Sequence, residues 1–168
     1  IMVAGEMLGE INRIADEFKS QSNWDPRFDT PYTSIQVGLI EGGTALNIIP
    51  LKCVIDWEAR GLPGFDPSDV FDRMNAYAAE HLVGQMHAVS TNTGILTKHM
   101  DEIPALAPQD GSPAETLVMA LAQQNETFAV SYQTEAGYFQ AIDIPAVICG
   151  PGNIAQAHKP DEYVSLDQ

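Results

Sequence analysis

Apolar positions follow two periods along this chain, and the period changes at recognisable breakers. Val3, Met7, Ile11, Ile14 and Phe18 recur every three or four residues, which predicts an amphipathic helix ending near Lys19. Turn formers follow over 20–31, among them Asn23, Asp25, Pro26 and Asp29. Over 34–39 apolar and polar residues alternate as in a half-buried strand. Over 52–60 they alternate again, with Cys53, Ile55, Trp57 and Ala59 on one face and Lys52, Asp56, Glu58 and Arg60 on the other. The Gly42-Gly43 break between the two predicts antiparallel neighbours. Leu62-Pro63-Gly64 closes the second strand. Asp66-Pro67-Ser68-Asp69 then opens a helix with a capping residue, Pro at the first helical position and an acid in the first turn. Val70, Phe71, Met74, Tyr77, Ala78 and Leu82 form its stripe, and 86–93 reads as a third strand. The order helix, strand, strand, helix, strand describes most of an α+β sandwich of ferredoxin-like type. One earlier strand would complete a four-stranded antiparallel sheet under two helices.

The expected boundary follows. Residues 94–111, with Pro104, Pro108, Asp110 and Gly111, read as a linker between a domain at 1–93 and a second unit at 112–168. Ser112-Pro113-Ala114-Glu115 is a capping box for a helix to about Gln124. A strand over 127–132, a short helix over 135–141 and a buried strand over 145–149 complete an α/β pattern. Some 56 residues cannot close such a sheet alone, so this unit reads as part of a larger domain. Both ends carry unfinished signals. The first helical stripe has no start signal before it, and Ser165-Leu166-Asp167-Gln168 is a capping box with no helix after it. The expectation is a piece of a longer chain.

Composition narrows the function classes. Of 168 residues, 45% are hydrophobic and 18% charged, enough apolar content for a packed core. Eight Lys+Arg against 23 Asp+Glu give a net charge of −15 and a pI near 4.3. Such a surface repels phosphate backbones, so no nucleic-acid partner is expected. No apolar run approaches the roughly 18 residues of a membrane span, and no leader is read. Cys53 and Cys149, far apart in strand-like runs, read as buried reduced thiols, which fits a cytoplasmic protein.

Candidate chemistry concentrates in residues 149–163. Gly150 and Gly152 would let backbone approach a ligand, and His158 could ligate a metal, with Asp161 or Glu162 holding its other ring nitrogen. On pattern alone a plain turn and a surface histidine are favoured. His81, His87 and His99 have no metal-ligand spacing and read as surface or capping residues. The loop 41–50 lacks the Gly-Lys-Ser/Thr of a phosphate loop, and its Asn47 either orients a ligand or satisfies the turn. Arg60 could fork onto a carboxylate or pair with Glu58. Glu135 is either an acid favoured at a helix start or a site residue.

Taken together, Gly42-Gly43-Thr44-Ala45-Leu46-Asn47-Ile48-Ile49-Pro50, Asp56-Trp57-Glu58-Ala59-Arg60-Gly61-Leu62-Pro63-Gly64, Thr134-Glu135-Ala136, Gly150-Pro151-Gly152 and Ala157-His158-Lys159-Pro160-Asp161-Glu162-Tyr163 resemble, in order and spacing, the acetylornithine deacetylase and succinyl-diaminopimelate desuccinylase family of zinc metallopeptidases. The resemblance covers nearly the whole chain, is weakest over 84–111, and points to the acetylornithine deacetylase branch. It implies a dimerisation domain over 1–93 without its first strand, then the last part of an α/β catalytic domain. It implies a homodimer through 1–93 and a small N-acyl amino acid as substrate. Two zinc ions are expected in the intact enzyme, with cobalt possible. Position by position, His158 matches the family's last metal ligand. Arg60 and Asn47 match residues that reach a substrate carboxylate, often across the dimer. Gly150 and Gly152 match a loop lining the substrate cleft, and Glu135 a position near the substrate. The other metal ligands and the general base match nothing in this chain. Activity of the chain by itself is therefore not expected. An aminoacylase or dipeptidase of the same family, or a non-catalytic dimerisation module, are the competing readings.

Overall fold

The computed structural model describes residues 1–21 and 24–168. Asn23, one of the turn formers read from the sequence, lies outside the described residues. The chain divides into two compact units, one of residues 1–105 with 128–133, the other of 106–127 with 134–168.

The first unit is built around helix α1, Met2–Ser20, as its stripe requires. Met7, Ile11, Ile14 and Phe18 are buried, and Val3 packs at the margin. Strands β1, Ser34–Gly42, and β2, Cys53–Arg60, pair antiparallel. Ile35, Val37, Ile55, Trp57 and Ala59 face the helices. Helix α2, Pro67–Tyr77, completes that layer with Val70 and Met74. Both helices thus cover one face of the sheet, as expected.

The expected alternation of β1 fails at its far end. Gly38 is an extra residue between the Val37–Trp57 and Leu39–Asp56 pairs. A bulge of this kind reverses the facing of everything beyond it. Leu39, read as a core position, therefore shares a face with Asp56 and is 60% exposed.

The junction between β2 and α2 follows local chemistry. The Phe65 N–H donates to Leu62 O at 3.0 Å, with Pro63 and Gly64 at the central positions and Gly64 at φ +86°, a type II turn. Phe65 folds back beside Gly61 and meets Phe18 edge-on, centroids 5.5 Å apart. A Cβ on Gly61 would lie 2.2 Å from the Phe65 ring and 2.7 Å from its own Cβ, so this position accepts only glycine. Asp66 caps α2, accepting from the Ser68 N–H at 2.9 Å and the Ser68 hydroxyl at 2.7 Å.

Beyond Tyr77 the chain widens into a π-helical turn, Ala78–Leu82, and continues as α3, Val83–Val89. Val70, Met74, Ala78 and Leu82 are spaced by four, a step that drifts ~40° per repeat on an ideal α-helix. The wider turn absorbs that drift and keeps Leu82, fully buried, in the core.

The third strand expected over 86–93 is not formed. Its first half belongs to α3, and Ser90 leaves the helix with extended backbone. Among the described residues β1 and β2 are the only paired strands. A strand there has no ladder to join, whereas a helix satisfies its own backbone. The sheet has two strands, so a ferredoxin-like sandwich is realised only in part.

The second unit holds α4, Pro113–Ala122, α5, Ala136–Gln140, and a single 3₁₀ turn, Ile154–Gln156. Ser112 accepts from the Glu115 N–H at 3.2 Å, one arm of the expected box. The other arm differs. The Glu115 carboxylate accepts from the Gly111 N–H and from the Thr127 hydroxyl. Gln140 clasps Ala107, accepting from its N–H at 2.7 Å and donating to its carbonyl at 2.9 Å. The strands expected over 127–132 and 145–149 do not form, for lack of a partner strand among the described residues. Cys149, expected to be buried, is exposed, and both cysteines are free thiols. No described helix is long and apolar enough to cross a membrane.

Candidate functional site

The sequence-derived positions fall into two groups, one in each unit. In the first unit the sheet face turned away from the helices carries Gln36, Leu39 and Glu41 from β1 and Asp56, Glu58 and Arg60 from β2. Strand register places Gln36 directly opposite Glu58. The Gln36 Nε2 donates to Glu58 Oε1 at 2.6 Å, and Arg60 Nε donates to the same oxygen at 2.9 Å. The alternative that Arg60 pairs with Glu58 is therefore realised, but through Nε alone. No described residue bonds its Nη1 or Nη2. Gln36 was not singled out from the sequence. The signal lay in register, since only the pairing of β1 with β2 brings it to Glu58.

Asn47 lies at the opposite end of the hairpin, in a turn closed by the Ile48 N–H donating to Ala45 O at 3.2 Å. Its own side chain makes no described hydrogen bond, so the turn does not depend on it. The seven β2 residues before Arg60 separate it from this loop, about 23 Å of strand at ~3.3 Å per residue. One chain does not bring the two together. Around Asn47, Leu46, Ile49 and Leu51 are almost wholly exposed.

In the second unit His158 is exposed with φ +57°. Its backbone N–H, not its ring, bonds Glu162, at 2.8 Å to Oε2. The expected ring contact to Asp161 or Glu162 is not formed. Asp161, also left-handed at φ +59°, turns the chain so that the Glu162 N–H reaches Lys159 O at 3.2 Å. Gly152 has φ +101°, a conformation that side chains resist, whereas Gly150 has open space around it. Between Gly152 and His158, Asn153 accepts from the Ala155 N–H at 2.9 Å and its own N–H donates to Gln156 Oε1 at 3.2 Å. This small capping box was legible as Asn-x-x-Gln but went unread. Glu135 precedes α5, is exposed and makes no cap bond. Thr134 Oγ1 takes the Ala136 N–H at 3.3 Å instead. Among the described residues no three His, Cys, Asp or Glu side chains group as a metal site. His158 offers one ligand where zinc needs three or four, so these residues by themselves do not fit the ion.

Two helices on one face of an antiparallel hairpin, with polar groups presented on the other, define an α+β module. Residues 1–86 match the family model described as the peptidase dimerisation domain, M20_dimer. An acetylornithine deacetylase from Photorhabdus laumondii is 31% identical over 162 residues, 96% of this chain and 40% of that protein. One from Myxococcus xanthus is 31% identical over 176 residues, covering 99% and 42%, and one from Buchnera aphidicola is 34% identical over 139 residues, covering 83% and 35%. The chain belongs to this peptidase family, which includes the acetylornithine deacetylases and is a family of hydrolases. It spans about two fifths of the length of these relatives.

Proposed function

We propose that this chain serves a metal-dependent amidohydrolase that removes the acetyl group of N-acetylornithine, in a cytoplasmic biosynthetic role. The observation that carries the reading is similarity over nearly the whole chain to proteins named for that activity. On this reading 1–93 is the dimerisation domain, 94–111 a linker and 112–168 the end of an α/β catalytic domain. Arg60 binds the substrate carboxylate. The protein around it carries −15, so an anionic substrate needs a local cation, and the unengaged Nη edge supplies one that can fork onto both oxygens. Asn47 serves the same substrate from a second copy of the chain. The separation of Asn47 from Arg60 along one hairpin favours a homodimer, where each residue can serve a different active site. Gly150, Gly152 and Glu135 line the substrate cleft.

A metal requirement belongs to this reading, zinc or cobalt, with two ions in the whole enzyme. His158 is one ligand, and the remaining ligands come from outside this chain. With its full ligand set, such a metal would supply Lewis-acid polarisation of an amide carbonyl and acidification of water.

The complete gene product, loaded with zinc or cobalt, should release acetate from N-acetylornithine and lose activity with a chelator. His158→Ala should lower bound zinc by about one ion per chain and leave the melting temperature of the metal-free protein unchanged, because the loop is exposed. Turnover of other N-acyl amino acids, with N-acetylornithine untouched, would move the assignment to an aminoacylase. Absence of any hydrolysis and of bound metal would leave a dimerisation module.

A further inference from the structure

Arg60 sits at the end of an acidic sheet face, with Asp56, Glu58 and Glu41 on the same side. Its pairing with Glu58 stabilises the fold little, since the side chains are 52% and 43% exposed. The geometry nevertheless has a direction. Glu58 takes Nε, not the outer nitrogens, and Glu58 is itself fixed from across the sheet by Gln36 at 2.6 Å. A guanidinium has two edges that can fork onto a carboxylate, one of which uses Nε. Engaging Nε closes that edge and restricts the side chain's rotamers, so the Nη1/Nη2 edge is presented before a ligand arrives. A long, exposed arginine otherwise loses that freedom on binding.

We propose that Glu58, held by Gln36, is the positioning residue of Arg60, orienting its outer guanidinium edge toward the substrate carboxylate. This rests on the reading of Arg60 as the carboxylate-binding residue. It also makes a counter-intuitive demand. Removing a negative charge beside the binding cation would ordinarily tighten an anion. If Glu58 positions Arg60, removing it weakens binding instead.

The test uses the complete metal-loaded enzyme and two substrates, an N-acyl amino acid and its carboxamide analogue. Glu58→Ala should raise KM for the carboxylate substrate on the order of tenfold, with kcat nearly unchanged. Glu58→Gln, which keeps an acceptor for Nε, should recover most of that loss, and it also guards against an alanine variant that fails to fold. Gln36→Ala should give a smaller rise in the same direction. With the carboxamide neither variant should change KM, and in an Arg60→Ala background Glu58→Ala should add nothing. A lower or unchanged KM for Glu58→Ala, beside a raised KM for Arg60→Ala, would overturn the positioning role and leave the carboxylate reading intact. An unchanged KM for Arg60→Ala would overturn the carboxylate reading itself. Equal losses with both substrates would show a purely structural role and overturn the inference.

Discussion

The two units hold their shape by different means. In the first, α1, α2 and the π-helical turn contribute every residue of the buried cluster, from Met7 to Leu82, and the sheet packs beneath them. In the second, Gly137 is the one described helical residue that is buried, and Leu117 and Leu121 of α4 remain exposed. What orders it is mostly local: the Ser112 cap and the box at Asn153, with the clasp between Gln140 and Ala107 as a longer link across 33 positions. A packed interior makes each residue depend on distant ones, whereas turns and caps depend on residues three or four positions away. The first unit should therefore respond to substitutions cooperatively, and the second piecemeal.

The largest effect should come from cutting into the first unit's core. Ile14→Ala or Leu82→Ala should cost about 2–5 kcal/mol, read from the midpoint of urea unfolding. If either costs under about 1 kcal/mol, the cluster does not organise the unit. Gly61→Ala should follow at about 1–3 kcal/mol, because the new methyl meets the Phe65 ring and Cβ. A neutral Gly61→Ala would mean the turn at Leu62 adapts.

The link between α1 and α2 should matter less, and depend on pH. Glu17 accepts from Arg73 at 2.6 Å and Arg13 at 3.2 Å, and Glu10 is forked by Arg13. Hydrogen bonding from Arg73 holds Glu17 below the usual carboxylate range, and that from Arg13 does the same for Glu10. A carboxyl whose folded pKa lies below its unfolded value near 4.5 stabilises the fold above that value. The contribution is lost as pH falls through the folded pKa. The Glu17 side chain is 39% exposed, so solvent screens the pair and Arg73→Ala should cost on the order of 0–1 kcal/mol at neutral pH. That cost should shrink in melts taken progressively below about pH 4. A cost that grows on acidification would reverse the assignment. The smallest effect belongs to the second unit. Leu121→Ser, on the exposed side of α4, should change stability by less than about 0.5 kcal/mol. A loss comparable to Leu82→Ala would show that α4 is covered in the assembled protein and end the contrast.

Sequence alone determined the elements whose reasons are local. The 3.6-residue stripe of α1, the Asp66-Pro67 start of α2, the Pro63-Gly64 turn and the short helix after Glu135 all lie where their residues place them. Each rests on bonds or packing periods spanning a few residues, and these are written into neighbouring letters. The alternation of 52–60 also held, because β2 has a neighbour to pair with. The candidate positions Arg60, Asn47 and His158 were legible as residue types, and so was the pairing of Arg60 with Glu58 two positions away, but the cross-strand partner Gln36 was not.

Tertiary structure decided what depends on absent or distant neighbours. The segments 86–93, 127–132 and 145–149 carry strand-like residues, yet a strand exists only as half of a pair. Where no partner lies alongside, the same residues become helix or irregular chain. The bulge at Gly38 turned Leu39 outward, and register, not spacing, brought Gln36 to Glu58. Hydrogen bonds between strands join residues 22 positions apart in the chain, a separation at which no local pattern specifies which side chain meets which.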